Sequence, residues 1–330
     1  MARGEADKNA VCFFYESGTY ANVSGNAQWI GQVQSHEPDE DLNIEYTRYM
    51  GGNNDRNFDQ AVSLVTDAGG KLVMYPQDFK FLALTLGSNV DGGSPSPYTH
   101  TISEVNSNNG NYATSGAINP FLSFQIEDAH VMQGTGLNVV RTAVGCVVDK
   151  YSLKWEKRGF ITNEIEYIAQ AINFSSGAAS TPTDPATKPF LARQVKFYAP
   201  SGTLIAGVND GEFFIENNAE RSNYSNGSAV TQAPLVTERN YGLNLNLDEM
   251  SEHAKTIYTS YFKGGSAFNA TIEITDSTGS RDAFIFLSGC SLRNHELPSK
   301  SEGINEHTLT IVPQSATALI NDAIFQYNAW

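Results

Sequence analysis

Basic residues are scarce in this chain. Its 21 Lys and Arg stand against 36 Asp and Glu, giving a formal net charge of −15. A protein that grips nucleic acid through its phosphates needs a basic surface, so that class of binding is excluded. Anionic membranes are disfavoured partners for the same reason. Cysteine is rarer still, with three residues that cannot all pair within one chain, and no CxxC spacing supports a metal or redox role. They read as small buried hydrophobes in a protein made in a reducing cytoplasm. No apolar run approaches the roughly 20 residues of a membrane span. The N-terminal MARGEADKNAVCFFYESGTY lacks the long apolar core of a signal peptide.

Catalytic signatures are missing too. The six histidines, at 36, 100, 130, 253, 295 and 307, have no metal-ligand spacing, and there is no GxSxG, HExxH or phosphate-binding glycine loop. A glycosidase-type carboxylate pair stays open, because any acidic chain offers candidates. The reading is of a protein that is not an enzyme and needs no cofactor or metal.

What is present is turn chemistry and strand chemistry. The 330 residues are 40% hydrophobic and only 17% charged, with abundant Gly, Asn, Ser and Thr. That mixture predicts a mainly β protein of about two domains. One stretch is also written twice. GCVVDKYSLKWEKRGFITNEIEYIAQ (residues 145–170) aligns without gaps on GCSLRNHELPSKSEGINEHTLTIVPQ (residues 289–314), 144 positions later. Gly145, Cys146, Leu153, Gly159 and Gln170 recur as Gly289, Cys290, Leu297, Gly303 and Gln314. Each copy predicts a strand, a polar turn closed by glycine, and a returning strand; two unrelated hairpins would be the alternative. Self-similarity of this kind sets the architecture.

Other landmarks repeat around it. PQDFKFLALTLGS predicts a helix, with Phe79, Leu82, Ala83 and Leu86 at helical spacing and Gly87 as its stop. DEMSEHAKTIYTSYFKGG predicts a second, with Met250, Ala254, Ile257, Tyr258 and Tyr261 on its apolar face. AVSLVTDAGGKLVMY predicts a hairpin turning at Asp67–Gly70, and residues 88–116 a long polar loop. SSGAASTPTDPATKP is the clearest linker. The division is therefore an N-terminal arm (1–43) that folds on a neighbour, a first copy (44–174), a linker (175–189), a second copy (190–316) and an aromatic C-terminal segment (317–330).

The strand after the first repeated hairpin sets Ile161, Ile165, Tyr167 and Ala169 on one face and Thr162, Glu164 and Glu166 on the other. The repeat places Glu306, Thr308 and Thr310 on the matching polar face. An ordinary wet surface or the lining of a channel both fit.

The RYMGG of residues 48–52, the MYPQDFKFLALTLGS of residues 74–88 and the Gly-Cys hairpin resemble the major tail tube proteins of long-tailed bacteriophages and related archaeal tailed viruses. The resemblance runs over about residues 37–314. It implies two tandem β-sandwich tube domains, each with one flanking helix, whose sheets join between subunits into a large β-barrel with a lumen. It implies a structural protein of the virion tail, made in the host cytoplasm, that stacks as rings. Three chains with pseudo-sixfold symmetry would complete a ring if each carries two domains. Its partners would be other copies, the tape measure, tail terminator and baseplate, and viral DNA passing without specific binding. Glu164, Glu166, Glu306, Thr308 and Thr310 are then the lumen candidates. Ser88, Asp91, Tyr98, His100, Glu37, Asp39 and Trp330 are the candidates for contacts between subunits or rings. The competing reading is a carbohydrate-binding or adhesive β-sandwich using Trp29 or Trp155 as a sugar platform.

Overall fold

The computed structural model describes residues 10–16, 21–41, 44–47, 60–63, 67–93, 97–105, 123–131, 138–200, 202–220, 234–236, 238–247, 257–296, 307–322, 324 and 327. In chain order the first half gives β1 (Ala10–Glu16), β2 (Val23–Gln28), β3 (Gln32–Asp41), β4 (Ile44–Thr47), β5 (Gln60–Ser63), β6 (Asp67–Tyr75), helix α1 (Lys80–Leu86), β7 (Gly87–Gly92) and β8 (Tyr98–Glu104). Then come β9 (Phe124–Val131), β10 (Asn138–Trp155), β11 (Ile161–Ala169) and β12 (Ala171–Ser175). The second half gives β13 (Val195–Tyr198), β14 (Val208–Glu216), β15 (Ala219–Glu220), β16 (Leu235–Val236), β17 (Asn240–Leu247), β18 (Phe268–Thr275), β19 (Asp282–Glu296), β20 (His307–Val312) and β21 (Ser315–Asp322).

One large antiparallel sheet runs in the order β3-β6-β11-β10-β14-β17-β20-β19. A smaller sheet, β2-β1-β9-β10-β12, shares the first half of β10 with it. Another, β13-β18-β19-β21-β8-β7, shares the first half of β19. The short pairs β4–β5 and β15–β16 stand apart.

The repeated Gly-Cys dipeptides mark where each long strand leaves a small sheet for the large one. Gly145 and Gly289 adopt φ of 62° and 61°, a left-handed bend that side chains resist. Each following cysteine is buried and turns its thiol back to a carbonyl three residues earlier, Cys146 to Ala143 and Cys290 to Leu287. Burial pushes the Cys290 thiol up to about 12.

The 144-residue offset holds at the level of hydrogen-bond register. Phe124↔Cys146 and Ile126↔Ala143 correspond to Phe268↔Cys290 and Ala270↔Leu287, with a bulge at the same step. Val148↔Tyr167 and Lys150↔Glu166 correspond to Leu292↔Ile311 and Asn294↔Thr310, again across a shared bulge. Gln170 N–H donates to Val144 O at 2.8 Å, and Gln314 N–H to Ser288 O at 2.9 Å.

Several expectations are corrected. Residues 10–41 contribute three strands to this chain's own sheets, and Phe13 and Tyr15 lie in the core. The sequence reads as an arm because β3 is an acidic edge strand. Pro38 is tolerated there because an edge strand needs hydrogen bonds along one side only. The Asp67–Gly70 stretch is no turn: it lies in β6, with residues 68–70 paired on both sides, and β5 pairs with β4 instead. Gly70 misleads because it meets a neighbour closely: a Cβ there would sit 2.5 Å from the Tyr167 hydroxyl. The expected loop from residue 88 begins as the β7–β8 hairpin, which extends the sheet of the second half through β21. Residues 106–122 lie outside the described residues.

The first helix is confirmed, and Gly87 ends it in the left-handed conformation. It does not flank a domain, however, since all seven of its residues are buried. Phe81 packs on Phe13 and Phe124, each at 5.5 Å between ring centroids. Lys80 stays satisfied by Asp78 at 2.9 Å and Trp29 O at 3.1 Å. Of the second helix, a single π-helical turn at Ile257–Phe262 is described, with Tyr261 against Phe268; its expected beginning lies outside the described residues. One hydrophobic cluster runs through both halves of the chain.

The linker crosses the surface as a strap fastened at three points. Ser180 N–H reaches Glu127 at 2.7 Å, Gln77 Nε2 donates to Thr187 O, and Arg281 donates to Lys188 O at 2.9 Å and Gln77 O at 3.0 Å. Arg281 also lies over the Phe190 ring at 4.6 Å and donates to Asp276 at 3.1 Å. Burial opposes ionisation of Asp276, but hydrogen bonds from Thr278, Arg281 and Ser280 outweigh it and hold the carboxyl at about 2. Its folded value is below its unfolded one, so the stability it confers is present above pH 3.8 and lost as pH falls toward 2. Denaturant midpoints measured between pH 4 and pH 2 should fall for the wild type. Asp276→Asn should lack about 1–2 kcal/mol of that acid-dependent loss, the figure being reduced for solvent screening.

Candidate functional site

The large sheet has a buried face and a polar one, and the sequence dictates both. In β11 the residues alternate buried and partly exposed from Ile161 to Ala169, so Ile161, Ile165 and Tyr167 point into the core while Glu164 and Glu166 point out. In β20, Leu309 and Ile311 are buried, and Thr308 and Thr310 point the same way as the glutamates. In β17, Leu243, Leu245 and Leu247 are buried and Asn244 and Asn246 lie opposite Thr310 and Thr308. The polar residues expected from β11 and β20 therefore share one continuous surface. Glu37 and Asp39 join it from β3, because Glu37 pairs with Lys71 and Asp39 with Gly69.

The register adds residues that the sequence reading missed. Lys150, Ser152 and Lys154 of β10 lie opposite Glu166, Glu164 and Thr162 on one side and opposite Glu216, Phe214 and Glu212 on the other. Lys71 of β6 lies opposite Glu166 and Glu37. The carboxylates at 37, 39, 164, 166, 212 and 216 thus share the face with the lysines at 71, 150 and 154. The signal was present in the alternation of KYSLKW and EFFIE, but pairing it needs the neighbouring strand.

Each lysine is already engaged. Glu164 is held by Lys154 at 2.7 Å and by Lys71; Lys150 meets Glu216 at 2.8 Å; Lys154 also lies 3.5 Å from Glu212. Burial opposes ionisation of Glu164, yet the two lysine hydrogen bonds hold its carboxyl below the usual range. The hydrogen bond to Glu216 raises Lys150 above its ordinary value. Arg293 borders the same face, lining with Phe214, Glu216 and Thr310 a hollow of about 350 Å³.

The candidate contact residues separate. Ser88, Asp91 and Tyr98 are partly exposed on the β7–β8 hairpin, and Glu37 and Asp39 are exposed on β3. His100 is fully buried and engaged within the chain: its ring contacts Asp91 at 2.6 Å and Asp322 at 3.1 Å and stacks on Tyr327 at 3.8 Å. Tyr327 in turn donates to Asp322 at 2.6 Å, so this residue of the aromatic C-terminal segment docks on its own chain. Glu306 and Trp330 lie outside the described residues. Trp155, the sugar platform of the competing reading, is buried in the core, and the Trp29 indole donates to Gln77 at 2.5 Å.

A second polar cluster ties the large sheet to the first small one. His36 contacts Tyr167 at 2.8 Å and Asp128 at 3.3 Å, and Asp128 is also bound by Arg141 and, at 3.2 Å, by His130. Burial would raise the Asp128 carboxyl, but His36, Arg141 and His130 together lower it. Among the described residues no group of three or more His, Cys, Asp or Glu is placed to hold a metal ion. Among them, too, no helix is long and apolar enough to cross a membrane.

No curated protein sequence matches this chain. The family described as phage tail tube protein matches residues 44–318, spanning β4 through the first half of β21. A mainly β chain with a broad two-faced sheet and a match over most of its length belongs to the phage tail tube protein family, whose members are structural proteins of the virion tail.

Proposed function

We propose that this protein forms the tail tube as stacked rings of three chains, and that the polar face of the large sheet lines a channel for viral DNA. The observation that carries the reading is the large sheet itself, with eight strands, one face buried and the other mainly polar. Each half of the chain contributes four of them, β3-β6-β11-β10 and β14-β17-β20-β19. The matched registers 144 residues apart support two tube domains per chain, with residues 10–41 belonging to the first. Three chains then bring twenty-four strands to the lining. At about 4.8 Å per strand and a tilt of about 40°, such a cylinder is roughly 48 Å across between backbones. Barrels of about 16–18 strands already leave an aqueous channel.

The face suits passage without adhesion. Phosphate binds cations by releasing counterions, and every lysine here is already committed to a glutamate. Carboxylates remain in excess, so the surface repels the backbone while asparagines and threonines keep it wet.

Purified protein viewed by negative-stain electron microscopy should give rings or hollow tubes with a threefold or pseudo-sixfold outline, without any added cofactor. Compact single chains at every concentration would overturn the tube reading.

A further inference from the structure

The two halves of the chain meet at one ladder, β10 with β14. It pairs Lys150↔Glu216, Tyr151↔Ile215 and Ser152↔Phe214. Both strands have register equivalents elsewhere. β10 corresponds to β19 at an offset of 144, as their common bulges establish. β14 corresponds to β3 at an offset of 175. Val33↔Met74 followed by Ser35↔Val73 matches Val208↔Leu247 followed by Asp210↔Asn246. The chain of equivalence closes, because Met74 pairs with Asn163 and Leu247 pairs with His307, which lies 144 residues after Asn163.

β3 and the second half of β19 are the two outer strands of the large sheet. Each is laddered along one side, to β6 and to β20, with no described strand along the other. We infer that the edge of β19 in one copy of this chain pairs antiparallel with β3 of a second copy, in the register of the β10–β14 ladder: Asn294 opposite Asp41, His295 opposite Glu40 and Glu296 opposite Asp39. The inference rests on the ring proposed above and specifies its junction. The junction repeats within the ring what the chain already does within itself.

The β3 edge carries Glu37, Asp39, Glu40 and Asp41, all exposed. Such an acidic edge discourages pairing with unrelated strands. The β19 edge brings the exposed Arg293 to it. Opening and closing of the ladder is set by the cognate register, because a one-residue slip would send Glu40 to the opposite face of the sheet.

The test is a disulfide between copies. Glu40→Cys with His295→Cys places two thiols at directly opposed positions, within the Cα separation of about 4.4–6.8 Å that a disulfide bridges. Within one chain the two positions lie at opposite edges of an eight-stranded sheet, about 34 Å apart at the usual strand spacing. The native cysteines are all buried, which keeps the background low. Oxidation of assembled protein should give covalent dimers and trimers on a non-reducing gel. Their yield should exceed by about tenfold that of Glu37→Cys with His295→Cys, which is out of register by about 10 Å. Rings that assemble but crosslink no better than this control would overturn the junction and leave the tube reading standing. Failure of the wild type to form rings or tubes at all would remove both.

Discussion

Replacing Glu166 and Thr310 together by lysine should leave tubes intact and slow DNA ejection by about tenfold or more at low salt, with recovery as salt rises. The two positions are 144 residues apart and face the same way, so each half of the chain gains one cation at the same height. Glu166 lies opposite Lys71 and Lys150 and enters no close ion pair among the described residues, while Thr310 is flanked by Asn244 and Asn294. Their lysines would find no carboxylate committed to them and would present free ammonium groups to passing phosphate. Glu164 is a poorer choice. It is clamped between Lys71 and Lys154, and reversing it would break two existing ion pairs and confuse instability with adhesion. The measurement is DNA release from virions over a range of salt, beside electron micrographs of the tails. Ejection that is unchanged and insensitive to salt would mean that this face is not the channel.

Gly289→Val should cost about 3 kcal/mol or more and abolish assembly, whereas Gly279→Ala should cost about 1 kcal/mol and leave it. Both glycines have left-handed backbones, with φ of 61° and 69°. They differ in surroundings. A Cβ at Gly279 meets nothing within 4 Å, but one at Gly289 would lie 2.5 Å from the Gln314 side chain. Gln314, just before β21, would have to move, and with it the Gln314 N–H to Ser288 O bond that holds the bend. A β-branched residue is the worst choice at such a φ, and the bend is where β19 passes between sheets. Urea midpoints of the two variants separate the conformational cost common to both from the packing cost at Gly289 alone. Equal midpoints would show that the bend does not depend on close packing.

Much of this was legible in the residues. The alternation of YGLNLNL and ITNEIEYIA named both the strands and the face each residue takes, because a side-chain period of two admits one assignment once the apolar set is buried. The Gly-Cys dipeptide marked the matching bend in each half, since a left-handed bend favours glycine at both places. The tube family was readable from the Gly-Cys hairpin and from the segments on either side of β6 and α1. What misled were local signals with non-local causes. The glycines of β6 look like a turn, but the strand runs straight through them and Gly70 makes room for Tyr167. The acidic β3 looks like a free arm but is an edge strand. The residues after α1 look like a loop but complete the other half's sheet.

The linear chain by itself determined the strand content, the inward and outward sets, the two bends and the helix with its stop, because each follows from residues within one strand or one turn of each other. Only the folded chain decided which strands are neighbours. That in turn decided that the glutamates of the polar face are answered by Lys71, Lys150 and Lys154, that His100 is sealed between two aspartates, and that the halves share one core. Ladder partners 60 or more residues apart, such as Lys150 and Glu216, are chosen by the burial of a whole face, and no short window of sequence holds that information.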